Sequence, residues 1–182
     1  KSGPCVAVGD INKDGLDDFF VGGAKDYPGV IFTQLSNGKF EQLKQSALEN
    51  DKVFEDGAAI FIDYDNDKDL DLLISSGGND FQRDIKQYPL RLYKNDSKGN
   101  FTKVLLKNTL YISSNNLSSS DIDKDGNLEY FIGGRSVPGH YGLIPKSYLF
   151  RINNESIDTI QDYHELSNIG MVTTSTWIDL DK

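Results

Sequence analysis

The nine-residue acidic segment that begins at Asp10 constrains this chain more than any other feature. It reads DINKDGLDD, with oxygen-bearing side chains at its first, third, fifth and ninth positions and a glycine at its sixth. Ca²⁺ takes about 6–8 oxygen ligands, so side chains that alternate along a tightly curled loop suit it. Glycine allows the sharp turn that points these side chains inward. The segment therefore predicts a calcium-binding loop.

The segment recurs at a nearly fixed period. Further copies start at Asp63 and Asp121, and a fourth begins at Asp179, at intervals of 53, 58 and 58 residues. Short β-rich runs separated by turn residues surround each copy. A fixed period indicates a repeat architecture, and four short strands in a unit of roughly 40–60 residues are typical of a β-propeller blade.

The predicted fold is thus a single all-β module over residues 1–182. We expect three four-stranded blades and the first strand of a fourth, and only a turn or two of helix within residues 42–51 and 158–166. The blade units are residues 5–50, 56–106, 114–162 and, in part, 170–182. Propellers use about 4–8 blades, so we expect a larger propeller, completed by the remainder of a longer chain or by a partner.

Each loop predicts its own set of metal ligands. The ninth residue is expected to close the site, and the seventh to contribute its backbone carbonyl. The predicted ligands are Asp10, Asn12, Asp14, Leu16 and Asp18; Asp63, Asp65, Asp67, Asp69 and Asp71; and Asp121, Asp123, Asp125, Asn127 and Glu129. The fourth copy, with Asp179 and Asp181, stops before its fifth ligand. The sequence therefore predicts about three Ca²⁺ sites.

The three loops depart from one another at single positions. The second loop carries Lys68 at its sixth position, where a left-handed backbone is expected to cost on the order of 1 kcal/mol. The third ends in Glu129, one methylene longer than aspartate, which predicts shifted geometry at the ninth position.

An EF-hand is excluded by the twelfth position of each loop. That position requires a bidentate glutamate, and it holds Val21, Ile74 and Ile132 here. Mg²⁺ stays an alternative, although its stricter octahedral geometry favours Ca²⁺. Acidic turns that bind nothing are a further alternative, against which three copies in register argue.

The acidity of the chain is largely local to these loops. Of the 28 acidic residues, 15 lie in the four segments, and three Ca²⁺ would bring the net charge from −9 to about −3. No basic patch suits a nucleic acid, and no apolar run approaches the ~18–20 residues that span a bilayer. We therefore predict no nucleic-acid partner and no membrane span.

The loop and its flanks resemble a known repeat. GDINKDGLDDFFVGGA at residues 9–24 resembles the FG-GAP repeat of integrin α-subunit propellers and of bacterial VCBS-repeat proteins. The same string and GGRSVPG at residues 133–139 resemble, more narrowly, secreted bacterial VCBS proteins with ASPIC/UnbV-type regions, and NIGMVT at residues 168–173 resembles the stretch before another calcium loop in that group. The resemblance implies calcium-stabilised blades, extracellular or on the cell surface, that act in binding or assembly rather than catalysis.

Signs of catalysis are weak in this sequence. It has two histidines and no HExxH, GxSxG or phosphate-binding glycine loop. The long loop at residues 135–146 carries the candidate ligand contacts Arg135, His140 and Tyr141. These residues suit an anionic sugar or a lyase-like proton abstraction, whereas the plainer interpretation is a packed loop whose path is fixed by proline and glycine.

Two functions therefore remain open. One is a calcium-stabilised binding or scaffold module that presents rim loops to a protein or glycan. The other is the non-catalytic or substrate-guiding part of a secreted polysaccharide-active enzyme.

Overall fold

Three antiparallel β-sheets dominate the computed structural model, which describes residues 3–79, 84–140 and 142–180. Each sheet has four strands that are hydrogen-bonded in chain order. Sheet 1 contains β1 (Val6–Gly9), β2 (Asp18–Val21), β3 (Val30–Gln34) and β4 (Phe40–Leu43). Sheet 2 contains β5 (Asp56–Ile62), β6 (Asp71–Ser76), β7 (Arg91–Asn95) and β8 (Phe101–Val104). Sheet 3 contains β9 (Leu117–Ser120), β10 (Glu129–Ile132), β11 (Tyr148–Asn153) and β12 (Ser156–Thr159). The predicted all-β class and the three four-stranded units are confirmed.

Helices are short and lie in the connections. An α-helix, α1, spans Ser46–Asn50, and 3₁₀ helices span Ile85–Gln87 and His164–Asn168. The first predicted helical link contains α1, and the second overlaps the last 3₁₀ helix over residues 164–166. Across the described ranges no helix has the length and apolar character needed to cross a membrane.

The acidic segments connect the first and second strands of the sheets. The ninth residue of each segment begins the second strand and pairs with the residue just before the segment: Asp18 with Gly9, Asp71 with Ile62, and Glu129 with Ser120. Since neighbouring strands are antiparallel, these hairpin loops lie at one end of the sheets. The connections between second and third strands lie at the opposite end.

The sheets pack face to face through two apolar clusters. Between sheets 1 and 2 the side chains of Phe20, Ile31 and Leu72 are fully buried. Between sheets 2 and 3 the same holds for Leu73 and Phe150. Sheet 2 is thus covered on both faces, which explains why every residue of β6 is buried rather than every second one.

A repeated backbone hydrogen bond joins each sheet to the next. Asp56 N–H donates to Gly23 O at 3.0 Å, and Ser114 N–H donates to Ser76 O at 2.9 Å. Val172 N–H donates to Gly134 O at 2.9 Å, and the three donors are spaced 58 residues apart. The segment after sheet 3 therefore has the same position relative to sheet 3 as the start of each later sheet has relative to the sheet before it.

The prediction of a fourth first strand is nevertheless wrong for the described residues. Residues 170–180 form no strand, although Ser175 N–H donates to the Asn116 side chain at 2.8 Å. The first strand of each sheet forms its ladder with the second strand of that sheet. No such second strand follows Val172 in the described part of the chain, so the segment has no ladder to join.

Candidate metal sites and rim groove

Side-chain hydrogen bonds to the backbone hold the three acidic loops in one shape. We call residues 10–18, 63–71 and 121–129 loops 1, 2 and 3. In loop 1, Asp10 accepts from the N–H groups of Asp14 at 3.1 Å and Gly15 at 2.8 Å. The first aspartate of loops 2 and 3 accepts from the same two positions at 3.1 and 2.9 Å. The turn is therefore encoded by the aspartates themselves.

The ninth position buries one carboxylate in each loop. Asp18 and Asp71 are fully buried, and Glu129 is 2% exposed. One oxygen accepts from the N–H of the second loop residue, at 3.1, 3.4 and 2.7 Å in loops 1, 2 and 3. In loops 1 and 2 the other oxygen accepts at 2.8 Å from the third-strand N–H of Gln34 or Asn95.

Loop 3 satisfies its longer ninth residue in another way. Arg151 on β11 donates from Nε to Oε1 of Glu129 at 2.5 Å. A guanidinium group thus bonds the oxygen that a backbone N–H bonds in the other loops. The predicted shift in geometry at Glu129 is therefore a change of hydrogen-bond donor, from a backbone N–H to the Arg151 side chain.

The first, third and ninth residues converge in loops 2 and 3. Asp63, Asp65 and Asp71 each offer an oxygen within 4.8 Å of the others, and so do Asp121, Asp123 and Glu129. Ligands at about 2.3–2.6 Å on opposite sides of one Ca²⁺ are roughly 5 Å apart, so these spacings fit. In loop 1 an amide, Asn12, stands at the third position, with Asp10 and Asp18 at the first and ninth.

The fifth residue plays a different part from the converging three. Asp14, Asp67 and Asp125 lie outside these groups, and Oδ1 of each accepts from the N–H of the seventh residue at 2.8, 3.1 and 2.8 Å. That bond curls the second half of the loop. Coordination by the fifth side chain and by the seventh carbonyl (Leu16, Asp69 and Asn127) stays a prediction.

Burial makes it costly to keep the carboxylates of loop 2 charged. Desolvation raises the pKa of Asp71 to about 7, and burial also raises the pKa of Asp18 and Asp69. Asp69 is 4% exposed, and its Oδ1 has no hydrogen-bond partner among the described residues. A hard divalent cation offsets both costs, and every donor side chain in the loops offers oxygen. The residues present fit Ca²⁺.

The sixth position confirms one prediction from the sequence. The backbone of Lys68 is left-handed, with φ 69°, as are those of Gly15 at 85° and Gly126 at 89°. The incomplete fourth copy is only partly described: Oδ2 of Asp179 lies 3.8 Å from Nζ of Lys124, and Asp181 lies outside the described residues.

A groove of about 700 Å³ lies at the end of the sheets opposite the acidic loops. Two of the candidate ligand contacts, Arg135 and His140, line it, and Tyr141 lies outside the described residues; ligand contact by these residues stays a prediction. Asn79 from the second-sheet loop joins them. Exposed Leu143 and Met171 add apolar surface, so the groove offers charged, amide and apolar groups together.

Sequence reasoning missed the residues that reach these sites from other segments. Glu55 and Asn115 line the groove from the links that enter β5 and β9, and Met171 lines it from the segment after sheet 3. Their nearly regular spacing was the available signal. Lys94 and Arg151, which contact loops 2 and 3, lie more than 20 residues from the carboxylates that they meet, and no local motif marks them.

The fold and the loops together define an all-β repeat protein with acidic hairpin loops at the same place in each sheet. The FG-GAP-like repeat family matches residues 10–74 and 63–132, and the chain belongs to that family. Each matched stretch runs from one acidic loop to the second strand of the next sheet. No curated protein matches the chain. The narrower bacterial resemblance stays a prediction.

Proposed function

We propose that this chain is a calcium-stabilised, extracellular β-propeller module that binds a protein or glycan partner on its rim and catalyses no reaction. The carrying observation is the pair of carboxylate groups in loops 2 and 3, set on loops of one shape. Family membership supports the proposal through the repeat itself.

The packing of the three sheets supports their assignment as propeller blades. Adjacent sheets are joined by the same backbone hydrogen bond at a 58-residue interval. Their first strands line one space of about 490 Å³, to which Val6, Ala58 and Leu117 contribute. First strands around a common space are the arrangement of a propeller axis.

Calcium has a structural role in this proposal. Each loop closes a hairpin between strands that form the sheet core, so ion binding adds to the free energy of unfolding. A site at 100 times its Kd contributes about 2.7 kcal/mol, and 1 kcal/mol shifts the Tm of a chain of this size by about 2–4 °C. Extracellular modules bind Ca²⁺ with Kd of about 0.1–1 mM, which suits the proposed location.

Thermal unfolding with and without Ca²⁺ tests this role. We expect Tm to fall by several degrees when EGTA replaces millimolar Ca²⁺, and Mg²⁺ at equal concentration to restore less of it. Asp63→Asn, which removes a converging carboxylate of loop 2, is expected to lose part of the response. An equal Tm in EGTA and Ca²⁺ would disprove the structural role.

The rim groove is the proposed partner site. Arg135 supplies a cation for a carboxylate or sulfate, Asn79 and Asn115 supply amide hydrogen bonds, and Leu143 supplies apolar contact. These are the group types that bind acidic glycans and polar peptide segments. Binding to a glycan array and to a peptide library, compared with Arg135→Ala, tests the site, with Lys39→Ala on sheet 1 as the control. Equal binding by Arg135→Ala and the parent chain would place the partner elsewhere.

Location is tested by fractionating cells that express the full-length protein. We expect the chain outside the cytoplasmic membrane, accessible to added protease. Recovery in the cytoplasm would contradict the extracellular assignment and leave the calcium role standing.

A further inference from the structure

One position on the third strand contacts the acidic loop in sheets 2 and 3, and sheet 1 has an equivalent of it. To find it, we count ten residues from the start of the loop and take the third-strand residue that pairs with the tenth. The position is the residue directly after that partner. Those pairs are Phe32 with Phe19, Tyr93 with Leu72 and Phe150 with Tyr130. The equivalent residues are therefore Thr33, Lys94 and Arg151.

In sheet 2 this position places an ammonium group on the loop. Nζ of Lys94 contacts Oδ2 of Asp65 and lies 3.1 Å from Oδ2 of Asp67. Asp65 is one of the three converging carboxylates. Lys94 is therefore paired with the group that a metal ion would use.

In sheet 3 the same position places a guanidinium group on the loop. Nη2 of Arg151 lies 2.5 Å from Oδ2 of Asp123, and Nε lies 2.5 Å from Oε1 of Glu129. Nη2 is also 3.9 Å from Oδ2 of Asp125. Two of the three converging carboxylates thus share one cation.

Sheet 1 differs in both partners of this contact. Thr33 donates from Oγ1 to the backbone oxygen of Glu41 at 3.5 Å, and the third loop residue is the neutral Asn12. Loop 1 therefore has three carboxylates at its first, third, fifth and ninth positions, for a charge of −3. At the same four positions loops 2 and 3 have four carboxylates each, and Lys94 or Arg151 brings the charge of these positions from −4 to −3; Asp17 of loop 1 and Asp69 of loop 2 lie outside the four positions.

We propose that Lys94 and Arg151 are built-in counter-ions that offset the extra third-position carboxylate of loops 2 and 3 and compete there with Ca²⁺. The inference rests on the proposed calcium function. Before the ion binds, the counter-ion reduces repulsion among carboxylates held at close range and so stabilises the loop. When Ca²⁺ binds, the same charge opposes it, and affinity for Ca²⁺ depends on the charge count of the site.

Calorimetric titration of the 182-residue chain with Ca²⁺, together with melting in EGTA, tests the inference on Lys94→Gln. This change removes the charge and keeps most of the stem. We expect one site to bind Ca²⁺ about five- to tenfold more tightly, while Tm in EGTA falls. Lys94→Arg is expected to restore both values, and Arg151→Gln to act likewise on loop 3.

The reciprocal change introduces a counter-ion beside loop 1. Thr33→Lys is expected to weaken one site about five- to tenfold, and Asn12→Asp added to Thr33→Lys is expected to recover it. Lys98→Gln is the matched control, because Lys98 has the same charge, lies in the turn between β7 and β8, and contacts no converging carboxylate in the described residues.

The outcomes separate the two proposals. Absence of calcium binding by the parent chain overturns the proposed calcium function. Calcium binding by the parent chain with unchanged or weaker binding by Lys94→Gln overturns the counter-ion inference alone. An unchanged Tm of Lys94→Gln in EGTA overturns it too.

Discussion

Two residues of each acidic loop have a left-handed backbone. The sixth-position residues do so as predicted, and the fourth-position residues do so as well, with φ 61° at Lys13, Asn66 and Lys124. The sequence did not predict the fourth position, because lysine and asparagine do not indicate a positive φ as glycine does. The aspartate hydrogen bonds to the backbone impose it instead.

Replacement of Lys68 by glycine is expected to stabilise the protein. Glycine relieves a left-handed cost of about 1–2 kcal/mol, and the greater freedom of the unfolded chain takes back about 0.4–1 kcal/mol. We therefore expect a net gain of roughly 0.5–1 kcal/mol in the free energy of unfolding, measured in urea. Lys39→Gly, at a residue without positive φ, is the control and is expected to lose stability. A lower free energy of unfolding for both variants would contradict the proposed backbone strain at Lys68.

The raised pKa of Asp71 predicts a pH dependence that calcium reverses. In the metal-free chain the unfolded carboxyl loses its proton near pH 4, whereas the folded one holds it to about pH 7. The folded state therefore binds more protons in this window, and stability falls as pH rises from about 4 to about 7. Bound Ca²⁺ requires the carboxylate, so we expect the gain in Tm from Ca²⁺ to be larger at pH 7.5 than at pH 5.5.

Melting curves at both pH values, in EGTA and in Ca²⁺, measure this effect. Asp71→Asn cannot titrate and is expected to flatten the pH dependence in EGTA, whatever its absolute Tm. A calcium-induced gain that is the same at pH 5.5 and 7.5 would contradict the role of Asp71.

At the scale of the elements, a buried ion pair helps to hold sheet 1 on sheet 2. Nη2 of Arg91 on β7 lies 2.7 Å from Oδ1 of Asp56 on β5, and both side chains are less than 5% exposed. Oδ2 of Asp56 accepts from Gly23 N–H, at the end of the second strand of sheet 1, at 2.8 Å. Nearby, Tyr93 donates to Asp51 at 2.6 Å. No sequence motif indicates this network.

Loss of the arginine from this pair is expected to be costly. Arg91→Leu leaves the Asp56 carboxylate buried without its cation, and we expect a loss of about 3–5 kcal/mol in urea unfolding. Adding Asp56→Asn is expected to recover part of it, because the orphaned charge is removed. Lys103→Leu is the comparison: its pair with Asp51 is 37% exposed on the lysine side and is expected to cost about 1 kcal/mol or less. Equal losses for both would show that burial of the pair is unimportant.

For the whole molecule, one large apolar face lacks cover among the described residues. On sheet 1, Phe19 stacks on Phe32 with centroids 4.9 Å apart and meets Phe40 edge-on, and Val8 and Phe40 are 61% and 47% exposed. The equivalent residues of sheet 2 are Phe61, Leu72, Tyr93 and Phe101. Those four pack in the cluster between sheets 1 and 2. A further sheet of the same kind is therefore the expected cover.

This equivalence predicts opposite outcomes for two matched substitutions. Phe40→Glu is expected to reduce self-association and dye binding of the 182-residue chain, with the free energy of unfolding changed by less than about 1 kcal/mol. Phe101→Glu places a charge where the side chain is 5% exposed and is expected to unfold the chain. Sedimentation and urea unfolding measure both. Strong destabilisation by Phe40→Glu would show that this face is already covered.

Much of the fold followed from the period of the acidic segments and the β-rich runs between them. Most strand positions and the left-handed Lys68 were predictable because they depend on local chemistry. The strand expected after residue 170 failed because a strand exists only with its neighbour. Lys94 and Arg151 could not be predicted, since register between strands decides which side chain faces a loop.

While the metal ligands that it predicts stay a prediction, the acidic segment at Asp10 by itself determined the kind of loop and its place between the first two strands. These follow from aspartate oxygens that bind the nearby backbone within a few residues. Only the tertiary structure decided which carboxylate of each loop is buried, which loops carry a counter-ion, and that rim residues from five separate segments share one groove. Burial, charge pairing and a common groove arise between residues that are distant in sequence, so they exist only once the sheets have packed.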